Sequence, residues 1–231
     1  MAGSTLGPMC STKCGPDWID DGTTCRSKSE PWAPLGVYVG RSADDLAKQT
    51  VLNALSDLAI AKIRFTIDSF HVSPGMYSKV AQLIGNGRIR VEYNWSVGTA
   101  AYYYPVENKI QLGLTSASTV TKQAQMVHEC THAAFDVHRY ARSTVATSEA
   151  AGFVAECLFA RVKSPKTDDP DYRIYSDDEK KDLIYELAWE IAGKILQGQT
   201  PKSSDYSALK DAVLKHPDYR HGRSLSGWNG V

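Results

Sequence analysis

Apolar residues recur at three- and four-residue spacing in the segment 41–65, at Leu46, Val51, Leu52, Leu55, Leu58 and Ile63, and predict an amphipathic helix there. Pro74 and Gly75 then punctuate the chain, and a short helix is expected over 76–84. The run RIRVEYNW, from Arg88, alternates β-branched and aromatic residues with polar ones as a half-buried strand does, and the aromatic run at 101–104 is its expected hairpin partner. KIQLGL, from Lys109, reads as another strand. A Ser/Thr cluster at 115–121 can cap a helix over 120–139, and further helices are expected over 144–162, 177–196 and 206–214. Neither an internal repeat nor a low-complexity block interrupts this order. A helix, then short strands, then several helices reads as α+β, with a small, mostly antiparallel sheet packed to one side of a helical bundle.

Length changes the picture little: 231 residues suffice for one good core or for one domain with a short appendage. The composition shifts at Pro31 and Pro34, so we expect a Cys-containing segment over 1–33 and one catalytic domain over 34–231. Lys plus Arg and Asp plus Glu both number 26, leaving no uniform field to attract nucleic acid or an anionic membrane. No stretch approaches the roughly 18 apolar residues of a membrane span, and the first residues carry neither a basic cluster nor an apolar run. The expectation is a soluble chain without a cleaved leader, its compartment open. Cys10, Cys14 and Cys25 fall in a polar stretch too poor in aliphatics for a core of its own, where a disulfide, a structural metal clip and an unstructured tail are the alternatives. Cys130 and Cys157 sit inside helical patterns and read as small buried packing residues.

The chemistry gathers on the helix over 120–139. In MVHECTHAAFD, His128 and His132 stand four apart, one turn from each other on one face, so both imidazoles can reach one cation. Glu129 flanks that site, where a carboxylate takes the proton of a metal-activated water and passes it to a leaving amine. The same spacing also arises on helices whose histidines are ordinary core or surface residues. Two sources of a third ligand present themselves. His138 fits the spacing of HExxHxxGxxH, but Phe135 stands where a turning glycine is needed and no methionine follows the motif. On a continuing helix His138 would also face away from His132. In SEAAGFVAE, Glu149 and Glu156 lie seven apart on one helix face, so only one can ligate, and Ala150, Ala151 and Gly152 beside Glu149 permit close approach of two helix backbones. Glu149 is the preferred ligand and Glu156 its rival. Asp136 could accept the distal N–H of a metal-bound histidine.

With its HExxH sequence preceded by a strand and followed by a glutamate-bearing helix, the segment 109–162 resembles the zincin metallopeptidases, and the glutamate helix gives it a gluzincin cast. Ser148 and Phe153 depart from the gluzincin NExxxD run, at its Asn and at the Asp that supports a zinc histidine. The resemblance implies a zincin-like fold, Zn²⁺ as cofactor, and hydrolysis of peptide or protein substrates. It also implies that an extended substrate pairs with an edge strand, expected at 110–114. Tyr102, Tyr103, Tyr104, Tyr172, Tyr175, Tyr206, His216 and His221 are the candidate oxyanion donors. The compact architecture resembles bacterial toxin and secreted effector peptidases, which implies export by a signal-independent route and an inhibitor or immunity protein of unknown identity. A zinc amidase acting on cell-wall amides and a non-catalytic binding module keeping the fold are the rival functions.

Overall fold

The computed structural model describes residues 18–20, 25–27, 41–140, 143–164, 179–217 and 219. The chain divides into two units, Met1–Gly40 and Arg41–Val231. In the first, β1 (Trp18–Asp20) pairs antiparallel with β2 (Cys25–Ser27). Cys10 and Cys14 lie outside the described residues, and with them the question of a disulfide.

The second unit is α+β, with six helices among the described residues. Its first helix, α1 (Ala43–Leu55), opens on a capping box: the Ser42 hydroxyl accepts the Asp45 N–H at 3.1 Å and the Asp45 carboxylate accepts the Ser42 N–H at 3.1 Å. It ends ten residues short of the expected boundary, since Asp57 accepts the Ala59 N–H and starts a 3-10 turn over Leu58–Lys62. Leu58, which extended the apolar stripe in sequence, is 89% exposed. A hairpin absent from the sequence reading follows, β3 (Phe65–Ile67) with β4 (Phe70–Val72).

Asp68, at the tip of that hairpin, holds a left-handed backbone (φ 52°) that aspartate tolerates better than most residues. Its carboxylate accepts the Thr147 hydroxyl at 2.9 Å and the Lys210 ammonium at 2.7 and 2.9 Å. One side chain thus ties the hairpin to two helices distant in sequence. Asp68→Ala should destabilise the fold by on the order of 1–3 kcal/mol in urea unfolding, mainly through backbone strain and the lost hydrogen bond, the half-exposed ion pair adding little. Asp68→Asn, which keeps both main effects, should cost less than half as much; equal losses would refute this account.

After α2 (Pro74–Gly85) comes a three-stranded sheet of β5 (Arg90–Tyr93), β6 (Ala101–Tyr104) and β7 (Lys109–Leu112), in the order β5-β7-β6. Two expectations are corrected here. β6 forms its hairpin with β7, and β5 pairs parallel with β7, so β5 and β6 are not neighbours. The strand expected to be the edge at 110–114 is therefore central; of the two edges, β5 packs on α1 and β6 lies beside the helix Val120–Val137. The connection 94–100 crosses the end of β7, where Gly113 has no room for a Cβ against the Gly98 carbonyl. Val91, Ala101, Tyr103, Ile110 and Leu112 form the buried face of the sheet. Tyr102, Tyr104, Arg90, Glu92, Lys109 and Gln111 alternate onto the other.

The remaining helices are α3 (Val120–Val137), α4 (Val145–Lys163), α5 (Glu179–Leu196) and α6 (Ser203–Lys215). α4 is the centre of the bundle: it packs on α3, α5, α6 and the 3-10 turn, and nearly every residue from Ala146 to Ala160 is buried. A helix buried on nearly every side, with few polar residues, belongs in such a place. No helix among the described residues is long and apolar enough to cross a membrane.

Candidate metal centre

α3 and α4 each begin on a threonine that caps its own third residue: Thr119 accepts the Lys122 N–H at 3.3 Å and Thr144 accepts the Thr147 N–H at 3.1 Å. The short link between them makes the two helices neighbours, and α3 buries Val127, His128, Thr131, His132 and Phe135 at helical spacing. His128 and His132, 6% and 7% exposed, meet edge to face with ring centroids 4.9 Å apart.

Both Nε2 atoms converge on one carboxylate. Glu149 Oε2 lies 3.4 Å from Nε2 of His128, and Oε1 lies 3.5 Å from Nε2 of His132. Charge-assisted hydrogen bonds close to about 2.7–2.9 Å. Donor atoms shared by a tetrahedral zinc, at about 2.0–2.2 Å from it, stand about 3.3–3.6 Å from one another, the range observed here.

The Nδ1 atoms are engaged behind. Glu156 Oε2 sits 3.0 Å from Nδ1 of His128, and Ser148 Oγ sits 2.8 Å from Nδ1 of His132. Glu156, the rival third ligand, is thus placed as the outer support of His128, and Ser148 supports His132. The role considered for Asp136 falls to these two, while Asp136 accepts the Tyr103 hydroxyl at 2.7 Å. His138 is the C-cap of α3 with its ring beside Tyr140. Cys130 and Cys157 are buried free thiols, and burial pushes both up in pKa.

Gly152 makes the approach possible. A Cβ there would lie 2.7 Å from Nε2 of His128 and 2.8 and 2.9 Å from its ring carbons, so the imidazole rests on bare helix backbone. The Phe153 ring meets the same imidazole edge to face, centroids 4.6 Å apart.

Glu129 stands beside the pair, and one ligand atom from each of His128, Glu129 and His132 can be chosen so that all lie within 4.8 Å of one another. Its Oε2 accepts the backbone N–H of Tyr103 at 2.8 Å. That N–H lies on the outer edge of β6: the Gly113 N–H bonds the Ala100 carbonyl, so the ladder bonds of β6 fall at even positions and the Tyr103 backbone faces away from β7.

Electrostatics set the same site apart. Burial pushes Glu129 up to about 8, with the charges of Glu149 and Glu156 adding to it and His128 and the Tyr103 N–H opposing. Burial alone would lower His128, but hydrogen bonds to Glu149 and Glu156 and the nearby carboxylate charges hold it well above the usual histidine range. His132 is pushed down to about 4, chiefly by burial. Three carboxylates around two buried imidazoles thus draw in protons, and a divalent cation could replace that positive charge. The donor set of two imidazoles and one carboxylate, with outer partners already in place, fits zinc.

Of the candidate oxyanion donors, Tyr103 is committed to Asp136, Tyr102 and Tyr104 lie on the outer face of the sheet, Tyr206 is buried in α6, and His216 is buried beside Tyr219. Tyr172, Tyr175 and His221 lie outside the described residues. The supports Ser148, Glu156 and Tyr103 N–H escaped the sequence reading; the one trace of Glu156 was its seven-residue spacing from Glu149. Comparison with protein-family models, curated proteins and solved structures found no match to this chain.

Proposed function

We propose that this chain is a zinc-dependent metallopeptidase of zincin-like architecture, with His128, His132 and Glu149 holding the metal and Glu129 as general base. The observation that carries the reading is the convergence of both Nε2 atoms on Glu149 at 3.4 and 3.5 Å, with both Nδ1 atoms already partnered. Zinc bound there would activate water and polarise the scissile carbonyl. Glu129 takes the proton of the attacking water at its carboxylate and delivers it to the departing nitrogen. β6 is an edge strand whose backbone at Ala101 faces away from β7, and it runs directly beside Glu129, which favours a peptide or protein substrate. Ser148 and Glu156 hold the imidazoles in the tautomer that leaves Nε2 for the metal.

Metal content by mass spectrometry tests the ligand set. Wild type should carry about one zinc per chain, and Glu149→Ala should lose most of it at equal protein and chelator concentrations. A folded wild type that takes up no zinc, or a Glu149→Ala protein that binds it as tightly as wild type, defeats the assignment.

A further inference from the structure

We infer that Lys122 sets the substrate specificity of this site, selecting peptides that carry a carboxylate about three residues from the scissile bond. This deepens the peptidase reading above and rests on it.

Burial leaves the middle of α3 one opening. From Ala124 to Asp136 every residue of the helix is buried except Gln125 and Glu129. Lys122, itself half-buried, continues that stripe toward the N-terminus, since spacings of three and seven residues put Lys122, Gln125 and Glu129 on one face. The outer edge of β6 runs alongside. Lys122 Nζ donates to the Thr99 carbonyl at 2.9 Å, and Glu129 accepts the Tyr103 N–H at 2.8 Å. Ala101 lies between them, its backbone facing away from β7. An extended peptide that follows this edge from Glu129 toward Thr99 therefore meets the ammonium. Seven residues of helix rise by about 10.5 Å, the length of about three residues of strand.

That ammonium has no counter-charge of its own. Lys109, Lys163, Lys194 and Lys210 each meet a carboxylate, whereas among the described residues Lys122 meets none. Its acceptors are neutral, the Thr99 carbonyl and Gln125 Oε1 at 3.4 Å. Glu156, whose charge reaches it, is already held at 3.0 Å from Nδ1 of His128. Lys122 also stands in the first turn of α3, which has no acidic residue and where a cation works against the helix dipole. Burial disfavours its charged form further and lowers its pKa. A substrate carboxylate would supply the missing charge and offset both costs. An acidic side chain and a terminal carboxylate present the same group.

The test uses three random-sequence, N-acetylated peptide libraries with one fixed position: Glu with an amidated end, Gln with an amidated end, and Gln with a free carboxylate end. Affinity selection on the metal-free full chain, read by mass spectrometry, measures binding without activity. Wild type should retain the first or the third library about fivefold or more over the second, the worth of a charge-assisted hydrogen bond, and which of the two it prefers identifies the source. Lys122→Gln should bring the ratio to about one, while Lys122→Arg should keep it. A purely structural lysine would lower the melting temperature of Lys122→Gln and leave the ratio at the wild-type value. That result overturns the inference, as does a wild type without preference. Should Lys122→Gln fail to fold, acetylation of wild type decides: the preferred library must protect the Lys122 amine and the neutral one must not. Zinc-loaded wild type that cleaves peptides without regard to acid overturns the role of Lys122 alone. Zinc-loaded wild type that cleaves none of the three libraries brings down the peptidase reading, and this inference with it.

Discussion

Glu129→Gln should keep about one zinc per chain and lose roughly 10²–10⁴-fold in peptide hydrolysis, the usual worth of a positioned proton acceptor. The substitution is isosteric, its amide oxygen can still accept the Tyr103 N–H, and none of the three proposed ligands is touched. The metal-free protein gives a second readout. Because Glu129 is pushed up to about 8, wild type loses stability as pH rises from the ordinary carboxylate range through about 8, where the folded state must give up a proton that the unfolded state has already released. Gln does not titrate. The variant should therefore gain on wild type in melting temperature between pH 5 and pH 8 and level off above. Undiminished hydrolysis, or simultaneous loss of zinc and activity, would show that Glu129 is not the base.

The parts of this fold that were legible in sequence are those written in local chemistry. Thr119, Thr144 and Pro74 mark helix starts, and the long apolar periods behind them leave little choice of element. Where tertiary contacts decide, the pattern misleads. Leu58 continues an apolar stripe at correct spacing yet points to solvent, because Asp57 starts a different turn just before it. Three-residue strands such as β3 and β4 are too short for alternation to show, and their hairpin rests on an Asp68 whose partners are Thr147 and Lys210, far along the chain. Strand order is a further case: nothing within KIQLGL says that β5 will pair on one side and β6 on the other.

The site divides along the same line. His128, Glu129 and His132 are one turn of one helix, so their grouping follows from spacing alone. Glu149 and Glu156 share a face of α4, and choosing between them requires the axial offset between two packed helices, which spacing along one chain does not contain. The offset places Glu149 at both Nε2 atoms and Glu156 behind His128. Ser148 reads in sequence as a departure from the gluzincin run, yet its hydroxyl sits 2.8 Å from Nδ1 of His132.

That offset depends most on Gly152, and the sign of its substitution tests it sharply. In an ordinary helix interior Gly→Ala stabilises by about 1 kcal/mol. Here the new methyl would fall 2.7 Å from Nε2 of His128, whose ring is already packed edge to face with Phe153. The imidazole must swing away or the helices must part, and either movement takes His128 off the point shared with His132 and Glu149. Gly152→Ala should accordingly weaken zinc on the order of 100-fold or more, beyond the loss of an outer partner, and destabilise the protein instead of stabilising it. In a His128→Ala background the obstacle is gone, and the same Gly152→Ala change should recover its ordinary stabilising sign. A double-mutant cycle in urea unfolding reads this directly. If Gly152→Ala alone stabilises the fold and binds zinc like wild type, His128 does not lie on the α4 backbone, and the convergence on Glu149 loses its physical basis.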